Sequence, residues 1–328
     1  MDRAGPGRAL WASSSPRPGC HGATDVARRT WLGAPSAGCP VLAGLDRAAC
    51  LTADDGPWPW SWSWSYARTM EYDVRGTRVH YVERGQGRPV LVLHGAGVDH
   101  REAVAAFEPT LARHGGLRRL YPDLPGSGLT QTAETVSSAE DVLGVLTTLV
   151  DEIVGDRPLI LVGHSAGAYY ARARADRAPQ RVAGLVLVCP LLPGRHDVPP
   201  LQPVVADDDL GDADFRAYFV VQTPAMLARY REVVAPGVAA VDAPTAERIG
   251  ARWELATSDE TYAGPVLVVA GRQDSTVGYA SAIDLLGRYP RATLVVVDGA
   301  GHALPHEAPS VLGGILDGWL TDAVEARG

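Results

Sequence analysis

The sequence contains no lysine and no asparagine, so all 30 of its basic residues are arginine. Acidic residues outnumber them at 38, which gives a formal net charge of −8 and a pI of about 5.6. Proteins that bind nucleic acid or an anionic membrane surface normally present a basic patch. The charge balance therefore argues against both kinds of partner.

Cysteine is also scarce, and apolar runs are short. The four cysteines lie far apart, with no C-x-x-C pair and no histidine at metal-ligand spacing; they are Cys20, Cys39, Cys50 and Cys189. Neither a zinc site nor a disulfide framework is indicated. Because Cys189 ends the apolar run VAGLVLVC, we expect it to be a buried thiol. No run approaches the roughly 18 apolar residues that a membrane-spanning helix needs, so neither a metal nor a membrane is expected.

The first 69 residues differ from the remainder of the chain. They are rich in Pro, Gly, Ser and Arg and hold six of the eight tryptophans, so we expect a disordered leader. The composition changes at Met70, which suggests that Met70 is the natural start. The rival hypothesis is export, because Arg28-Arg29-Thr30-Trp31-Leu32 resembles a twin-arginine signal. Glycine and proline interrupt the segment that follows it, so we expect a cytoplasmic protein.

From residue 70 onward, strand-like and helix-like patterns alternate. A strand pair is expected to turn at Gly76, and a buried strand at PVLVLHG precedes a helix over Glu102 to His114. Ser137 and Glu140 fit a capping box for the next helix. This order predicts an α/β fold with a mostly parallel twisted sheet and helices on both faces.

The alternation lapses between residues 195 and 263, where acidic and Pro-rich pieces flank helix-like stretches. We interpret 195–263 as a helical cap inserted into a core made of 70–194 and 264–328. At 328 residues with 46% hydrophobic content, the chain can bury a large core.

The stretch PLILVGHSAGAYYAR, residues 158–172, organises the candidate chemistry. It predicts a strand, a sharp turn and a helix, with Ser165 at the turn and glycines two positions to either side. Such glycines let strand and helix approach closely, and the strained turn would project the serine hydroxyl from the top of the sheet. Ser165 is therefore the candidate nucleophile.

A serine hydroxyl needs a base, a carboxylate that orients the base, and donors for the oxyanion. Asp274 follows the buried strand PVLVVAGRQ, and His302 follows ATLVVVDGAG. Both would lie in loops at strand carboxyl ends, in the order Ser, Asp, His. Asp274 could instead cap a turn, since Asp-Ser-Thr is good turn chemistry. His306 is the nearest competitor to His302, and we expect it at the surface or facing the cap.

The oxyanion donors are expected to be backbone N–H groups. Ala166 follows the nucleophile at the start of a helix, and Ala96 lies in the Gly-rich turn after the PVLVL strand. His94 and His164 lie inside turns in which the backbone, and not the side chain, is expected to contribute to the chemistry. We therefore expect structural hydrogen-bonding roles for the two side chains. Asp123, in DLPGSG, is expected to tie down its loop.

Together these residues resemble the α/β-hydrolase superfamily over about residues 70–328; they are His94-Gly95, Asp123 to Gly128, Gly163 to Gly167, Asp274 and Gly301-His302. The closest likeness is to its cap-bearing esterase, C–C hydrolase and proline iminopeptidase-like branch. The resemblance implies no cofactor, a mobile cap and an acyl-serine intermediate. Dehalogenase-like and epoxide-hydrolase-like members use aspartate at the elbow, so Ser165 argues against both.

The first interpretation is a serine hydrolase that acts on small carboxylic esters. The sequence is compatible with a homo-oligomer. Hydrolysis of C–C bonds in diketone-like metabolites comes second, and amide or amino-terminal proline cleavage third. A slow-turnover ligand receptor on the same fold is the alternative from another class. The cap offers candidate pocket residues; they are Phe215, Tyr218, Phe219, Met226, Tyr230 and Trp253, with Arg229 and Arg231 as carboxylate contacts.

Overall fold

The computed structural model describes residues 68–194 and 198–324, and its frame is an eight-stranded sheet. The strands are β1 Arg68–Val74, β2 Thr77–Gly85, β3 Arg88–Leu93, β4 Leu117–Pro122, β5 Leu159–His164, β6 Val182–Val188, β7 Val266–Gly271 and β8 Ala292–Val297. Their order across the sheet is β1-β2-β4-β3-β5-β6-β7-β8. Only β2 runs antiparallel to its neighbours, β1 and β4, so the expected mostly parallel sheet is confirmed.

The first hairpin turns where the sequence predicts. Arg75 and Gly76 have φ values of 53° and 84°, a backbone region that glycine adopts readily. Strand β1 begins at Arg68, so its first two residues precede the boundary expected at residue 70; Arg68 pairs with Glu83. The expected disordered leader otherwise falls on residues 1–67, outside the described part of the chain.

Helices cover both faces of the sheet. They are α1 His100–Leu111, α2 Ala139–Val154, α3 Ala166–Arg177, α4 Ala213–Tyr218, α5 Pro224–Arg229, α6 Ala235–Val238, α7 Ala243–Gly250, α8 Asp284–Arg288, α9 Leu304–Glu307 and α10 Pro309–Trp319. Leu149 of α2 and Ala171 of α3 belong to the core on one face. Phe107 of α1 and Leu316 of α10 belong to the core on the other. None of the helices among the described residues has both the length and the apolar character to cross a bilayer.

The cap of helix α2 differs from the sequence expectation by one residue. Ser138, not Ser137, is the N-cap, and its side chain accepts a hydrogen bond from the N–H of Asp141. The Asp141 carboxylate reaches back to the N–H of Ser137, at 2.9 Å. Glu140, expected to complete the box, instead forms an ion pair with Arg177 at 2.7 Å. Glu140 therefore pairs with a distant arginine instead of capping helix α2 as the local pattern predicts.

Helix α1 also departs from its expected bounds. Asp99 caps it by accepting a hydrogen bond from the N–H of Arg101, at 3.0 Å, so the helix begins at His100 instead of Glu102. It ends at Leu111, three residues before the expected end. The Asp99 cap thus accounts for a helix start two residues earlier than the sequence pattern predicts.

In its described residues, the segment between β6 and β7 carries four α-helices, α4 to α7, and a π-helical turn at Tyr230–Val234. Its described part, residues 198–263, is called the insertion below. Phe215, Phe219 and Tyr230 of the insertion form an apolar cluster with Val98, which follows β3, and Ala303, which follows β8. Because both contact points follow the carboxyl ends of parallel strands, the insertion lies over that end of the sheet.

Two glycines allow β3, β5 and α3 to meet closely. A Cβ atom on Gly163 would overlap the backbone of Gly167, and a Cβ on Gly167 would overlap the carbonyl oxygens of Leu93 and His94. Backbone atoms of a central strand cannot move aside as a flexible side chain can. Glycine is therefore required at both positions on packing grounds.

Replacing Gly167 with alanine should lower the free energy of unfolding by about 1–3 kcal/mol or more, because the added methyl group overpacks a rigid backbone contact. Urea unfolding monitored by circular dichroism measures the change. The matched control is Gly144→Ala in helix α2, where an added Cβ meets nothing within 4 Å. This control should raise stability by about 0.5–1 kcal/mol, since alanine favours a helix over glycine. Equal effects of the two substitutions would contradict the packing argument.

Candidate active site

Ser165 occupies the turn between β5 and α3 in a strained backbone conformation. Its φ and ψ are 54° and −115°, a combination that non-glycine residues rarely adopt and that recurs at functional sites. The N–H of Ser165 donates to the carbonyl of Val188, at 3.0 Å, and its own carbonyl accepts from Tyr169 and Leu191. The neighbouring strand and helix thus hold the strained residue in place.

Ser165, His302 and Asp274 form one hydrogen-bonded chain. His302 Nε2 lies 2.9 Å from Ser165 Oγ, and His302 Nδ1 lies 2.8 Å from Asp274 Oδ2. Asp274 is fully buried, and Ser165 and His302 are 4% and 6% exposed. The three expected residues, which span 137 positions of the sequence, therefore meet at one point. The carboxylate accepts from Nδ1–H, so Nε2 faces the serine as an acceptor.

The environment of Asp274 keeps it ionised. Burial by itself would raise the pKa of this carboxyl, but attraction to His302 and the hydrogen bonds it receives hold the pKa below its ordinary value. Its second oxygen accepts hydrogen bonds from the N–H groups of Thr276 and Val277, both at 2.9 Å. Asp274 therefore does cap the following turn, and it contacts His302 at the same time.

The loop after β3 passes directly beside Ser165. An ideal Cβ on Gly95 would lie 3.3 Å from the Cβ of Ser165. Ala96, one of the two expected donors, is the next residue in this loop. Ala166, the other expected donor, is the first residue of α3. Neither N–H donates to another described backbone group.

His94 stabilises this loop, as expected. Its Nε2 accepts a hydrogen bond from the N–H of Leu124, at 2.9 Å, so its proton lies on Nδ1 and is donated to the carbonyl of Gly95, at 2.7 Å. Burial lowers the pKa of His94, in agreement with a neutral ring that makes both contacts. The ring thus links the loop after β3 to the loop after β4.

Asp123 ties down its own loop, also as expected. Its two carboxylate oxygens contact the Nδ1 atoms of His80, at 2.7 Å, and His100, at 2.8 Å. They also accept from the N–H groups of His100 and Leu129. Burial opposes ionisation here too, but these partners hold the pKa of Asp123 below its ordinary value.

A second buried cluster lies beside the first, and sequence reasoning did not find its centre, Glu102. Its Oε1 lies 3.2 Å from His164 Nδ1 and 3.4 Å from His306 Nε2. The expectation that His306 lies at the surface is wrong: it is 1% exposed. It does face the insertion, because the Nε–H of Arg229 donates to its Nδ1 at 3.3 Å. In the sequence, Glu102 looks like an ordinary acid in the first turn of a helix.

Glu307 is a further residue that the patterns did not single out. Its carboxylate accepts hydrogen bonds from the N–H groups of Val220 and Val221 in the insertion, at 2.6 and 3.1 Å. It also accepts from Gly301, which precedes His302, at 2.6 Å. Glu307 therefore joins the insertion to the loop that carries His302.

A cavity of about 20 Å³ opens beside the Ala96 loop, room for about two water-sized groups. Most of its walls are apolar; the lining residues are Ala96, Gly97, Leu124, Pro125, Gly126, Ser127, Val142, Tyr170, Val241, Ala246 and Ile249. The last three of these belong to the insertion. The cavity is therefore bounded by the core on one side and the insertion on the other.

The side chains expected to line a pocket mostly pack elsewhere. Phe215, Phe219 and Tyr230 contribute to the apolar cluster of the insertion, and Trp253 lies against Tyr169 with ring centroids 5.7 Å apart.

The two arginines expected to contact a carboxylate are placed differently from each other. Arg229 donates to the carbonyl of Ala105, at 2.7 Å, and to His306. Arg231 is exposed.

Among the described residues, two groups of side chains could in principle bind a metal ion; they are His164, Cys189 and His302, and His80, His100 and Asp123. The Nδ1 atoms of His80 and His100 already contact Asp123, and that of His302 contacts Asp274. Burial raises the pKa of Cys189 well above its ordinary value, which keeps the thiol protonated and a poor ligand. The donor sets therefore favour protein hydrogen bonds over a metal.

Both the sequence and the structure of this chain are similar to those of known proteins. Residues 90–312 match the sequence profile described as the Alpha/beta hydrolase family. A crystal structure of an alpha/beta superfamily hydrolase from Oenococcus oeni PSU-1 superposes with a TM-score of 0.69 at 26% identity, covering 77% of this chain and 99% of that one.

Two curated relatives show the range of similar sequences. Pimeloyl-[acyl-carrier protein] methyl ester esterase of Shewanella sp. strain MR-7 is 34% identical over 113 residues, which is 34% of this chain and 38% of that protein. The chain thus matches less than half the length of this relative. 2-Hydroxymuconate semialdehyde hydrolase of Pseudomonas sp. strain CF600 is 26% identical over 272 residues, covering 76% and 92% of the two chains.

The lowered pKa of Asp274 predicts a pH-dependent contribution to stability. The contribution is present above the pKa of an unfolded aspartate, about 4, and is lost as the pH falls through the lower folded-state value. Between about pH 5 and pH 2, the wild type should therefore lose more unfolding free energy than Asp274→Asn does. Urea unfolding of both proteins across this range measures the difference. Parallel curves would contradict a depressed pKa.

Proposed function

Because this chain belongs to the alpha/beta hydrolase family, we propose that it is a cofactor-independent serine hydrolase of small carboxylic esters. The observation that carries the proposal is the chain of contacts from Ser165 Oγ to His302 Nε2 and from His302 Nδ1 to Asp274, at 2.9 and 2.8 Å. A serine in a strained turn, with an oriented base at hydrogen-bond distance, has the geometry that acyl transfer needs.

In the proposed reaction, His302 Nε2 takes the hydroxyl proton as Ser165 Oγ attacks the ester carbonyl. The imidazolium formed in this step is stabilised by Asp274, which stays ionised and holds Nδ1–H. The tetrahedral oxyanion would lie between the N–H groups of Ala96 and Ala166, and two such donors are worth several kcal/mol to a transition state.

Breakdown of this intermediate then releases the alcohol. The leaving oxygen takes the proton from His302 Nε2, and an acyl-serine remains on Ser165. A water molecule, deprotonated by the same nitrogen, attacks the acyl carbonyl to give a second tetrahedral intermediate. Its collapse breaks the bond to Ser165 Oγ, which takes the proton back from His302 Nε2, and the carboxylic acid is released. His302 thus serves as base and then as acid in each half of the reaction.

The cavity beside Ala96 supports a small substrate. A group bound there would lie against the proposed oxyanion donor, and its walls are chiefly apolar, as suits a short acyl or alkyl chain. We propose that the insertion acts as a cap, because it supplies one wall of this cavity and contacts the loops on both sides of the candidate site.

Hydrolysis of a C–C bond is the second candidate. It is favoured by similarity to 2-hydroxymuconate semialdehyde hydrolase over 92% of that protein's length. The same three residues would serve, so a substrate panel, and not the triad geometry, separates the two reactions.

A fluorophosphonate probe should label the wild-type protein, since such probes react with an activated serine. Labelling should be lost in Ser165→Ala. In Asp274→Asn, where His302 loses its orienting charge, the rate of labelling should fall by about 10³-fold or more. Ser310→Ala is the matched control, because Ser310 is exposed at the start of α10; it should label as the wild type does. A folded wild-type protein that is not labelled would overturn the serine mechanism.

Wild-type protein that has not been exposed to the probe is then assayed with p-nitrophenyl esters and with diketone substrates. Turnover of short-chain esters supports the esterase proposal, whereas labelling with turnover of diketones alone would replace it with the C–C hydrolase.

Ala246→Leu should narrow the range of ester chains accepted. The larger side chain fills part of the cavity, so kcat/KM for p-nitrophenyl butyrate should fall about tenfold or more relative to that for the acetate. Ala251→Leu, exposed just after helix α7, is the control and should leave the ratio unchanged. If the ratio of the two kcat/KM values is unchanged in Ala246→Leu, the acyl chain of the ester binds outside this cavity.

A further inference from the structure

Glu102 is a fully buried carboxyl group that the proposed reaction does not use. It lies in the first turn of α1 with 0% exposure, and its Oε1 faces two imidazoles, those of His164 and His306. Neither contact has the alignment of a hydrogen bond, so charge is the chief attraction between them. An isolated buried carboxylate is very costly, and Glu102 therefore needs a positive partner.

The two imidazoles differ in protonation because of what faces their other nitrogen. His306 Nδ1 accepts from Arg229, so this ring carries its proton on Nε2 and is neutral. His164 Nε2 lies 3.0 Å from the carbonyl of His302, which can only accept, and its Nδ1 faces the Glu102 carboxylate. Both nitrogens of His164 therefore face acceptors, which is the environment of an imidazolium.

The direction of the titration shifts agrees with this assignment. Burial lowers the pKa of His164, but the attraction of Glu102 outweighs it and the net shift is upward. Burial lowers the pKa of His306, and here the net shift stays downward. The pKa of Glu102 is lowered despite its burial, because of His164 above all.

We propose that Glu102 is a positioning residue for the proposed hydrolysis: it keeps His164 cationic, and the Nε2–H of this cation anchors the backbone carbonyl of His302. The inference rests on the proposed role of His302 as the base. The rings of His164 and His302 lie with centroids 5.1 Å apart, so an uncompensated charge on either member of the Glu102–His164 pair would lie close to the proposed base.

Other titratable or charged groups lie around His164 and His302; they are Asp274, Cys189, His306, Glu307, Tyr218 and Arg229. All of them are retained in every variant below. Differences between the variants therefore report on the Glu102–His164 pair.

The charge state of His164 can be read without any assay of activity. The ¹⁵N shifts of the imidazole rings, assigned by comparison with His164→Gln, should show His164 protonated on both nitrogens at pH 7.5. In Glu102→Gln the same ring should be neutral. A neutral His164 in the wild type at this pH would overturn the proposal, whether or not the protein is a serine hydrolase.

The second measurement is the acid limb of the pH profile of fluorophosphonate labelling, which follows deprotonation of the base. His164→Gln keeps a donor near the His302 carbonyl and leaves Glu102 unpaired, so the limb should move up by about half to one pH unit. Glu102→Gln should leave it within about 0.2 of the wild type, because His164 then becomes neutral and no charge is left uncompensated. The double variant should return it to within about 0.2 of the wild type.

The matched control is Asp317→Asn, which removes the carboxylate 3.1 Å from His114 in a partly exposed pair. It should leave the acid limb in place. An unshifted acid limb in His164→Gln, or a displaced limb in Glu102→Gln, would overturn the proposal. If Glu102→Gln does not fold, the wild-type ¹⁵N spectrum alone decides the charge of His164. Absence of labelling in the wild type would refute the serine mechanism separately.

Discussion

The close approach of three backbone segments at Ser165 constrains everything else in the candidate site. A Cβ atom on Gly163 would collide with the backbone of Gly167, and one on Gly167 would collide with the end of β3. Ser165 lies between these two glycines at positive φ. Gly95, in the loop that also carries Ala96, packs against Ser165, so this packing sets the surroundings of the candidate nucleophile.

Buried carboxylates organise the region around this turn, and each is matched to imidazoles or backbone donors. Asp274 faces His302, Asp123 faces two histidines, and Glu102 faces His164. The roles differ because the second nitrogen of each imidazole faces a different group. For His302 this group is a hydroxyl that can be deprotonated, and for His164 it is a carbonyl that can only accept. Identical side chains are thereby given different chemistry.

The insertion is joined to the candidate site through polar contacts as well as apolar ones. Glu307 binds the backbone of Val220 and Val221 together with that of Gly301, and Arg229 contacts His306. Both links end within a few residues of His302. A movement of the insertion would therefore be transmitted to the loop that carries His302, the proposed base.

The sequence by itself determined the sheet, the position of Ser165 and the residues that meet it. These follow from local patterns, because buried parallel strands are continuous apolar runs and the G-x-S-x-G order after such a run predicts a serine at a strand-to-helix turn. It did not determine the cap of α2, where Glu140 pairs with a distant arginine, nor the burial of His306. Glu102 was indistinguishable from a surface acid at a helix start. Its charge is defined by His164, 62 positions away, and only the folded chain brings two such groups together in the absence of water.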